Sequence, residues 1–202
     1  MAIVRCAIAI TVVSGLLYGP QPAAAGAPDV PESLKVRVYD AAGVPSDGLS
    51  RATATAQRIL AAADVASEWI TCGRAPVGCA APLGAAEVSV RLVRSPMPRN
   101  YHGHLPMGDA LVDREARAGS LATIYTGRVA WLAEAGQSEV AVLMGRAIAH
   151  EIGHLLLGTN GHAAHGLMRA RWSAQEIRRP VATDWLFTSG DARRMREAVA
   201  SR

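Results

Sequence analysis

Residues 146–172, RAIAHEIGHLLLGTNGHAAHGLMRARW, decide how the rest of the chain is interpreted. They contain His150, Glu151 and His154 in the pattern H-E-x-x-H. Side chains four residues apart on an α-helix share a face, so the two imidazoles can bind one ion. Glu151 lies about 100° round the helix from His150, where its carboxylate can reach a water molecule on that ion. The pattern predicts a zinc site with two nitrogen ligands, a position open to water and a carboxylate base.

The helix that carries this pattern is predicted over residues 139–157, with Ser138 as its N-cap. It is apolar on nearly every side, which is typical of a helix that passes through a core. Gly145 and Gly153 each cost a helix about 1 kcal/mol relative to Ala, and so indicate a neighbouring backbone that approaches closely. Polar side chains buried in such a helix need partners, and a metal ion provides them for the two histidines.

The composition predicts an aliphatic core, because half of the residues are hydrophobic and only one is Phe. The four tryptophans are expected to be its large members: Trp69, Trp131, Trp172 and Trp185. The net charge of +4 comes almost wholly from arginine. Seven arginines between Arg169 and Arg196 are predicted to lie on a solvated helical face, so we expect no nucleic-acid binding.

The N-terminal 25 residues, Met1–Ala25, are predicted to be a secretory signal peptide. Arg5 provides the charged start, residues 6–18 form an apolar run too short for a comfortable membrane span, and Ala23–Ala25 offer a cleavage site. An uncleaved membrane anchor is the alternative. We therefore expect a secreted or periplasmic protein with no stable membrane anchor after cleavage, and one domain over residues 26–202.

Cys72 and Cys79 are the cysteines that remain once the signal peptide is removed. Two cysteines across a short loop of an exported chain predict a disulfide. A pair of zinc ligands is the alternative, but it would need partners that the loop does not provide.

The rest of the chain alternates between strand and helix patterns. Strands are predicted at 34–39, 66–71, 87–93, 109–113 (an edge strand) and 121–126, and helices at 48–63, 128–135, 173–179 and 188–199. Ser173 and Glu176 form a capping box for the third of these helices. His102 and His104 belong to a long loop, 94–108, which is expected to be solvated or to line a substrate. Metal binding by these two histidines is the alternative. The sequence predicts an α+β fold that ends in a mainly helical C-terminal part.

A third protein ligand is needed, because two histidines alone hold zinc weakly. Gly158 ends the helix, and residues 159–161 allow a tight reversal that brings His162 or His165 back towards the first two histidines. A carboxylate further along the chain is a third possibility, with Glu176 as the best candidate. Met168 follows shortly after the reversal.

The stretch Ala149–Met168 resembles the metzincin zinc peptidases, whose pattern is a H-E-x-x-H helix, a glycine turn, a third His and a turn containing Met. The resemblance implies that His150, His154 and His162 bind zinc and that Met168 forms the Met-turn. It also implies a small, twisted, mostly parallel sheet with an early helix and a buried active-site helix. The spacing departs from the family pattern H-E-x-x-H-x-x-G-x-x-H, since the glycine comes one residue late and the third histidine two residues late.

The resemblance predicts an exported zinc endopeptidase with one zinc ion per chain and Glu151 as the general base. Its substrate would be a peptide or protein, and we expect a monomer. One alternative is a zinc hydrolase of another amide, such as a cell-wall peptide, including a gluzincin-like enzyme with Glu176 as third ligand. The other is a non-catalytic protein that binds zinc or a partner on the same scaffold.

Overall fold

The structure, a computed structural model, describes residues 33–73, 79–95, 106–179 and 181–202. Five strands form one sheet in the order β2-β1-β3-β5-β4. They are β1 (Leu34–Asp40), β2 (Ser67–Cys72), β3 (Glu87–Val93), β4 (Gly108–Asp113) and β5 (Ala118–Tyr125). All neighbouring pairs are parallel except β4 and β5. The predicted α+β fold with a mostly parallel sheet is confirmed, and β4 is its antiparallel edge strand.

Within the described part of the chain, five helices and one 3₁₀ turn accompany the sheet. They are α1 (Ser46–Ala61), α2 (Thr126–Ala135), α3 (Val140–Leu157), α4 (Ala174–Arg178), the 3₁₀ turn Ala182–Trp185 and α5 (Ser189–Ala200). The alternating side chains of β1 and β3 put fully buried residues on one face, among them Val36, Val38, Val88 and Val90. Helices α1 and α3 pack on the sheet and contribute buried residues to the same core.

Helix α3 lies in the centre of the molecule, and Ile148, Ile152 and Leu155 on it are fully buried. By length and composition it could cross a membrane, yet 78% of it is buried inside the protein, as in the core helix of a globular domain. A Cβ on Gly145 would lie 2.5 Å from the carbonyl oxygen of Ala52, which confirms a close backbone approach by α1. At Gly153 the close neighbours are instead the side chains of Met168 and Phe187. The prediction of a backbone neighbour was therefore wrong at this second glycine.

Three further predictions about local structure were wrong. Helix α3 has Glu139 as its N-cap and no side-chain capping bond, so Ser138 does not cap it. Trp131 is 49% exposed and does not belong to the core. Arg169 is buried and not part of a solvated face, because its guanidinium is held between Trp185 and backbone carbonyl groups.

Other local predictions agree with the structure. The capping box of Ser173 and Glu176 is present at α4. Cys72 and Cys79 are joined by a disulfide. The predicted signal peptide, residues 1–25, and the loop histidines His102 and His104 lie outside the described residues.

Candidate metal centre

Three histidines converge beside the C-terminal half of α3. His150 and His154 come from the helix, and His162 comes from the segment that follows it. One ligand nitrogen from each lies within 4.8 Å of the others, and the Nε2 atoms of His150 and His154 are 3.1 Å apart. The His162 ring is centred 5.4 Å from that of His150 and 4.9 Å from that of His154. The first two are buried and the third is exposed, so the cluster opens to solvent on one side.

Backbone carbonyl groups fix the orientation of both helical histidines. The Nδ1–H of His150 donates to the carbonyl oxygen of Leu167 at 2.8 Å, and that of His154 donates to the carbonyl oxygen of Thr159 at 2.7 Å. A carbonyl can only accept, so each Nδ1 carries the proton and each Nε2 keeps its lone pair. This is the arrangement by which proteins present Nε2 to a metal ion.

The donor set fits zinc. With both Nδ1 atoms protonated, the two facing Nε2 atoms are both acceptors and cannot hydrogen-bond to each other, so a cation between them is the natural partner. Two nitrogens on one tetrahedral zinc lie about 3.3 Å apart, close to the separation of these atoms. Burial, and next the neighbouring His154, lowers the pKa of His150 to about 3. The imidazole therefore stays neutral, which is the form that binds metal.

Gly158 makes the reversal that brings His162 back. It takes the left-handed conformation with φ of 62°, and its N–H bonds to the carbonyl oxygen of His154. The following Thr159 donates to the same oxygen and accepts from the His154 ring. The N–H of Ala163 then bonds to the carbonyl oxygen of Met168, which closes the loop behind His162.

His165 and Glu176, the alternative third ligands, are not members of this three-histidine group in the described part of the chain. His165 is exposed in the loop between His162 and Met168. The Glu176 carboxylate accepts from both the backbone N–H and the hydroxyl of Ser173 at 2.7 Å, and pairs with Arg169. Of the three candidates, the structure places His162 beside the helical pair.

Met168 lies under α3 and is 2% exposed. A Cβ on Gly153 would come within 2.7 Å of its sulfur, so the glycine leaves the space that the methionine fills. Gly153 precedes His154 directly, and Leu167, whose carbonyl orients His150, precedes Met168. The methionine therefore packs the loop against the helix at the level of the candidate metal ligands.

Glu151 faces the edge strand β4. A Cβ on Gly108 would lie 2.8 Å from the Glu151 Oε1 atom, so only glycine lets the strand pass this carboxylate. Burial, and to a smaller extent the nearby Asp109, raises the pKa of Glu151 to about 8. A carboxylate with a raised pKa is suited to taking up a proton near neutral pH.

The histidines and Glu151 line an open cleft of about 270 Å³. One wall is formed by residues 106–110 at the start of β4. A second wall is formed by residues 169–172, and the lining also includes Leu132, Ala147, Asn160 and His162. The cleft therefore borders both the edge strand and α3.

Arg169 holds this second wall in place, and the sequence did not predict that role. Its Nη1 donates to the carbonyl oxygens of Gly166 and Asp184 at 2.9 and 2.6 Å, and its guanidinium lies 4.7 Å from the Trp185 ring centre. Trp185 in turn packs edge-to-face on Trp172, which packs edge-to-face on His150. The position of Arg169 directly after the predicted Met-turn was the one signal in the sequence that could have suggested it.

Comparisons with known proteins concern the fold. No family model matches the chain, and no curated protein sequence matches it significantly. A zinc-dependent peptidase from Methanocorpusculum labreanum (strain Z) superposes with a TM-score of 0.53 at 13% identity, over 79% of this chain and 99% of that one. Archaemetzincin (amzA) from Methanopyrus kandleri gives a TM-score of 0.53 at 14% identity, over 85% of this chain and 97% of that one. The chain therefore shares the fold of these two solved structures across most of its length.

Proposed function

We propose that the protein is a zinc-dependent metallopeptidase of the metzincin type, which hydrolyses peptide bonds in the cleft between β4 and α3. The observation that carries this proposal is the convergence of three histidines beside a buried carboxylate at the floor of an open cleft. A purely structural zinc site is enclosed by four protein ligands and needs neither an opening nor a neighbouring carboxylate. The names of the two solved structures with this fold support the same reaction.

His150, His154 and His162 would hold the zinc ion. Zinc bound there would lower the pKa of a water molecule and polarise the carbonyl group of the peptide. Glu151 accepts the proton from the attacking water and passes it to the amine nitrogen that leaves. Its burial next to Gly108 keeps the carboxylate weakly hydrated, which raises its basicity for this transfer.

The edge strand β4 would hold the substrate in an extended form. Among the residues that the structure describes, it is the last strand of the sheet and pairs only with β5, so its outer backbone groups would be available to another chain. Leu111 on this strand is 68% exposed. A peptide added along β4 would run past Glu151 and the histidines.

We also propose that the protein is exported, with the signal peptide in residues 1–25. The disulfide between Cys72 and Cys79 supports this placement, because disulfides persist in secreted and periplasmic proteins. Mass analysis of the mature protein from the culture medium or periplasm tests it. A mature N-terminus near Gly26 is expected, and retention of Met1 in the cytoplasm would contradict it.

The peptidase proposal is tested with Glu151→Gln, which keeps the shape of the side chain and removes the base. Zinc content should stay at one ion per chain, and kcat on a peptide mixture should fall by about 10²–10⁴-fold. Glu134→Gln, on the exposed side of α2, is the matched control and should cleave like the wild type. Equal cleavage by zinc-loaded Glu151→Gln would show that this carboxylate is not the base.

The third ligand is tested by the zinc content of His162→Ala, His165→Ala and Glu176→Ala. Loss of zinc only in the first is the expected result, because His162, and neither His165 nor Glu176, belongs to the group with the helical pair. Loss of zinc in Glu176→Ala with retention in His162→Ala would move the protein to the gluzincin-like alternative. A wild type that binds zinc and cleaves no peptide would favour the other amide substrates.

A further inference from the structure

Arg171 is the exposed cation of the candidate cleft. It lies in the wall formed by residues 169–172, and its side chain has no hydrogen-bond or ion-pair partner among the described residues. The other arginine of this wall, Arg169, is buried and already paired with Glu176. Arg171 is therefore the positive group of this wall that remains available to a bound molecule.

The backbone on either side of Arg171 is fixed. Arg169 is held by two backbone carbonyls, and Trp172 is 4% exposed and packs between His150 and Trp185. The Arg171 side chain thus extends from a rigid wall that touches a metal ligand. The backbone of this wall loses little conformational entropy when a substrate binds, so the charge of Arg171 can contribute to the difference in affinity between substrates.

The wall formed by residues 106–110 carries the opposite charge. Asp109 lines it, is exposed, and accepts a hydrogen bond from the Tyr125 hydroxyl, which uses one of its oxygens. An acidic group on a substrate would therefore be attracted to the wall of Arg171 and repelled from that of Asp109. The charges of the two walls would therefore orient a charged substrate in the cleft, with its acidic group towards Arg171.

We propose that Arg171 makes the cleft selective for peptides that carry a carboxylate against the wall of residues 169–172. The carboxylate can belong to an Asp or Glu side chain or to a free C-terminus, since a guanidinium binds both through the same paired N–H···O bonds. The proposal rests on the peptidase function and names the class of substrate for that site.

The size of the effect follows from the exposure of Arg171. An ion pair that remains open to water is worth up to about 1 kcal/mol, which corresponds to about a fivefold preference in kcat/KM. The preference should decrease as the salt concentration rises, because exposed charges are screened.

The first test measures cleavage of a peptide series by the zinc-loaded wild type, Arg171→Gln and Arg171→Glu. The peptides differ by Glu, Gln or Lys at each position in turn, and one further pair differs by a free or an amidated C-terminus. The wild type should prefer Glu over Gln about three- to fivefold at one position, or the free acid over the amide. This ratio should approach one in Arg171→Gln. Arg171→Glu should instead prefer the Lys peptide over the Glu peptide.

Arg193→Gln is the matched control, because Arg193 is an exposed arginine of α5 outside the cleft lining. It should keep the wild-type ratios. Ratios of one in the wild type at every position, or ratios unchanged in Arg171→Gln, overturn the proposal.

A binding measurement separates this proposal from the peptidase function. The same peptides, labelled with a fluorophore, are titrated with zinc-loaded Glu151→Gln protein with and without Arg171→Gln. A preference for the acidic peptide that disappears with Arg171→Gln supports the proposal, and equal affinities for the Glu and Gln peptides overturn it. Absence of cleavage by the wild type, by contrast, would count against the peptidase function alone, because the binding ratio does not depend on turnover.

Discussion

Gly158→Ala is the substitution that tests most directly how the metal loop is built. Gly158 ends α3 in the left-handed region, with φ of 62°. A Cβ at this position would lie 2.0 Å from the carbonyl oxygen of Arg117 and 2.4 Å from its carbonyl carbon. Both atoms belong to the backbone of the turn between β4 and β5, so no side-chain rotation can relieve the contact.

The cost has two parts that can be worked out separately. The left-handed conformation costs an L-residue about 1–2 kcal/mol. Carbon and oxygen normally approach to about 3.3 Å, so the helix end and the turn must separate by more than 1 Å, and such overpacking costs about 1–3 kcal/mol. Alanine regains about 0.4–1 kcal/mol by restricting the unfolded chain. The free energy of unfolding should therefore fall by about 1–5 kcal/mol.

The same displacement should weaken zinc binding, because Thr159 follows Gly158 and its carbonyl oxygen orients His154. Loss of a hydrogen bond that orients a metal ligand lowers affinity by about 10–100-fold. Stability is measured by urea unfolding in the presence of a chelator, and zinc affinity by competition with a chromophoric chelator.

Gly161→Ala is the matched control in the same loop. Gly161 has no positive φ, and the nearest atom to its added Cβ is the Thr159 hydroxyl oxygen at 3.2 Å. It should lose less than about 1 kcal/mol, the range of a tolerated substitution. Equal stabilities of Gly158→Ala and Gly161→Ala would refute the role given to the left-handed turn and to its contact with Arg117.

Three further predictions concern the framework around the site. Arg169→Met keeps the aliphatic stem but removes the ion pair with Glu176 and two bonds to backbone carbonyls; we expect a loss of about 2–4 kcal/mol in urea unfolding, and a loss below 1 kcal/mol would contradict the holding role. Burial alone would raise the pKa of Glu87, but a backbone N–H, Lys35 and Arg37 outweigh it and lower the pKa. The ionised carboxylate then stabilises the fold above the pKa of the unfolded state, and this contribution is lost as the pH falls through the pKa of the folded state. The difference in unfolding free energy between wild type and Glu87→Gln should therefore decrease in acid, and a difference that does not change with pH would refute this. Replacing both cysteines by serine opens a loop with a sequence separation of 7 and should lower the free energy of unfolding, measured by thermal unfolding, by about 2.5 kcal/mol. An unchanged midpoint temperature would show that the disulfide does not restrain the unfolded chain.

The sequence predicted the order and type of the elements well, because most of them have a strong local signal. The strand β3 alternates cleanly, and α3 is a long apolar helix whose H-E-x-x-H pattern has a chemical meaning of its own. Local chemistry also predicted the capping box at Ser173, whose partner lies three residues away. Such features depend on residues that are close in the sequence, so one sequence is enough to find them.

Features that depend on distant contacts were not predictable in the same way. Arg169 resembles any surface arginine in the sequence, and only the packing of Trp185 and the carbonyl of Asp184 against it explain its burial. Trp131 has the composition of a core residue, but it lies on the outer side of α2. Gly108 has a role only because β4 passes Glu151 at that point. Each of these facts follows from which elements meet in three dimensions.

The glycine and the third histidine of the metal motif come later than in the metzincin pattern, and this altered spacing shows which features of the pattern a three-histidine site needs. One of the two additional residues lengthens α3 and turns its end by about 100°. The other lengthens the return loop, where the Thr159 hydroxyl accepts from the N–H of Gly161 at 3.0 Å and the Thr159 carbonyl bonds back to His154. These contacts bring the His162 ring centre to 4.9 Å from that of His154, although two more residues separate the histidines than in the metzincin pattern. The distance between the imidazoles of His154 and His162 is therefore set by the contacts that the loop makes with His154. The number of residues between these two histidines can vary, provided that a glycine in the left-handed conformation begins the loop.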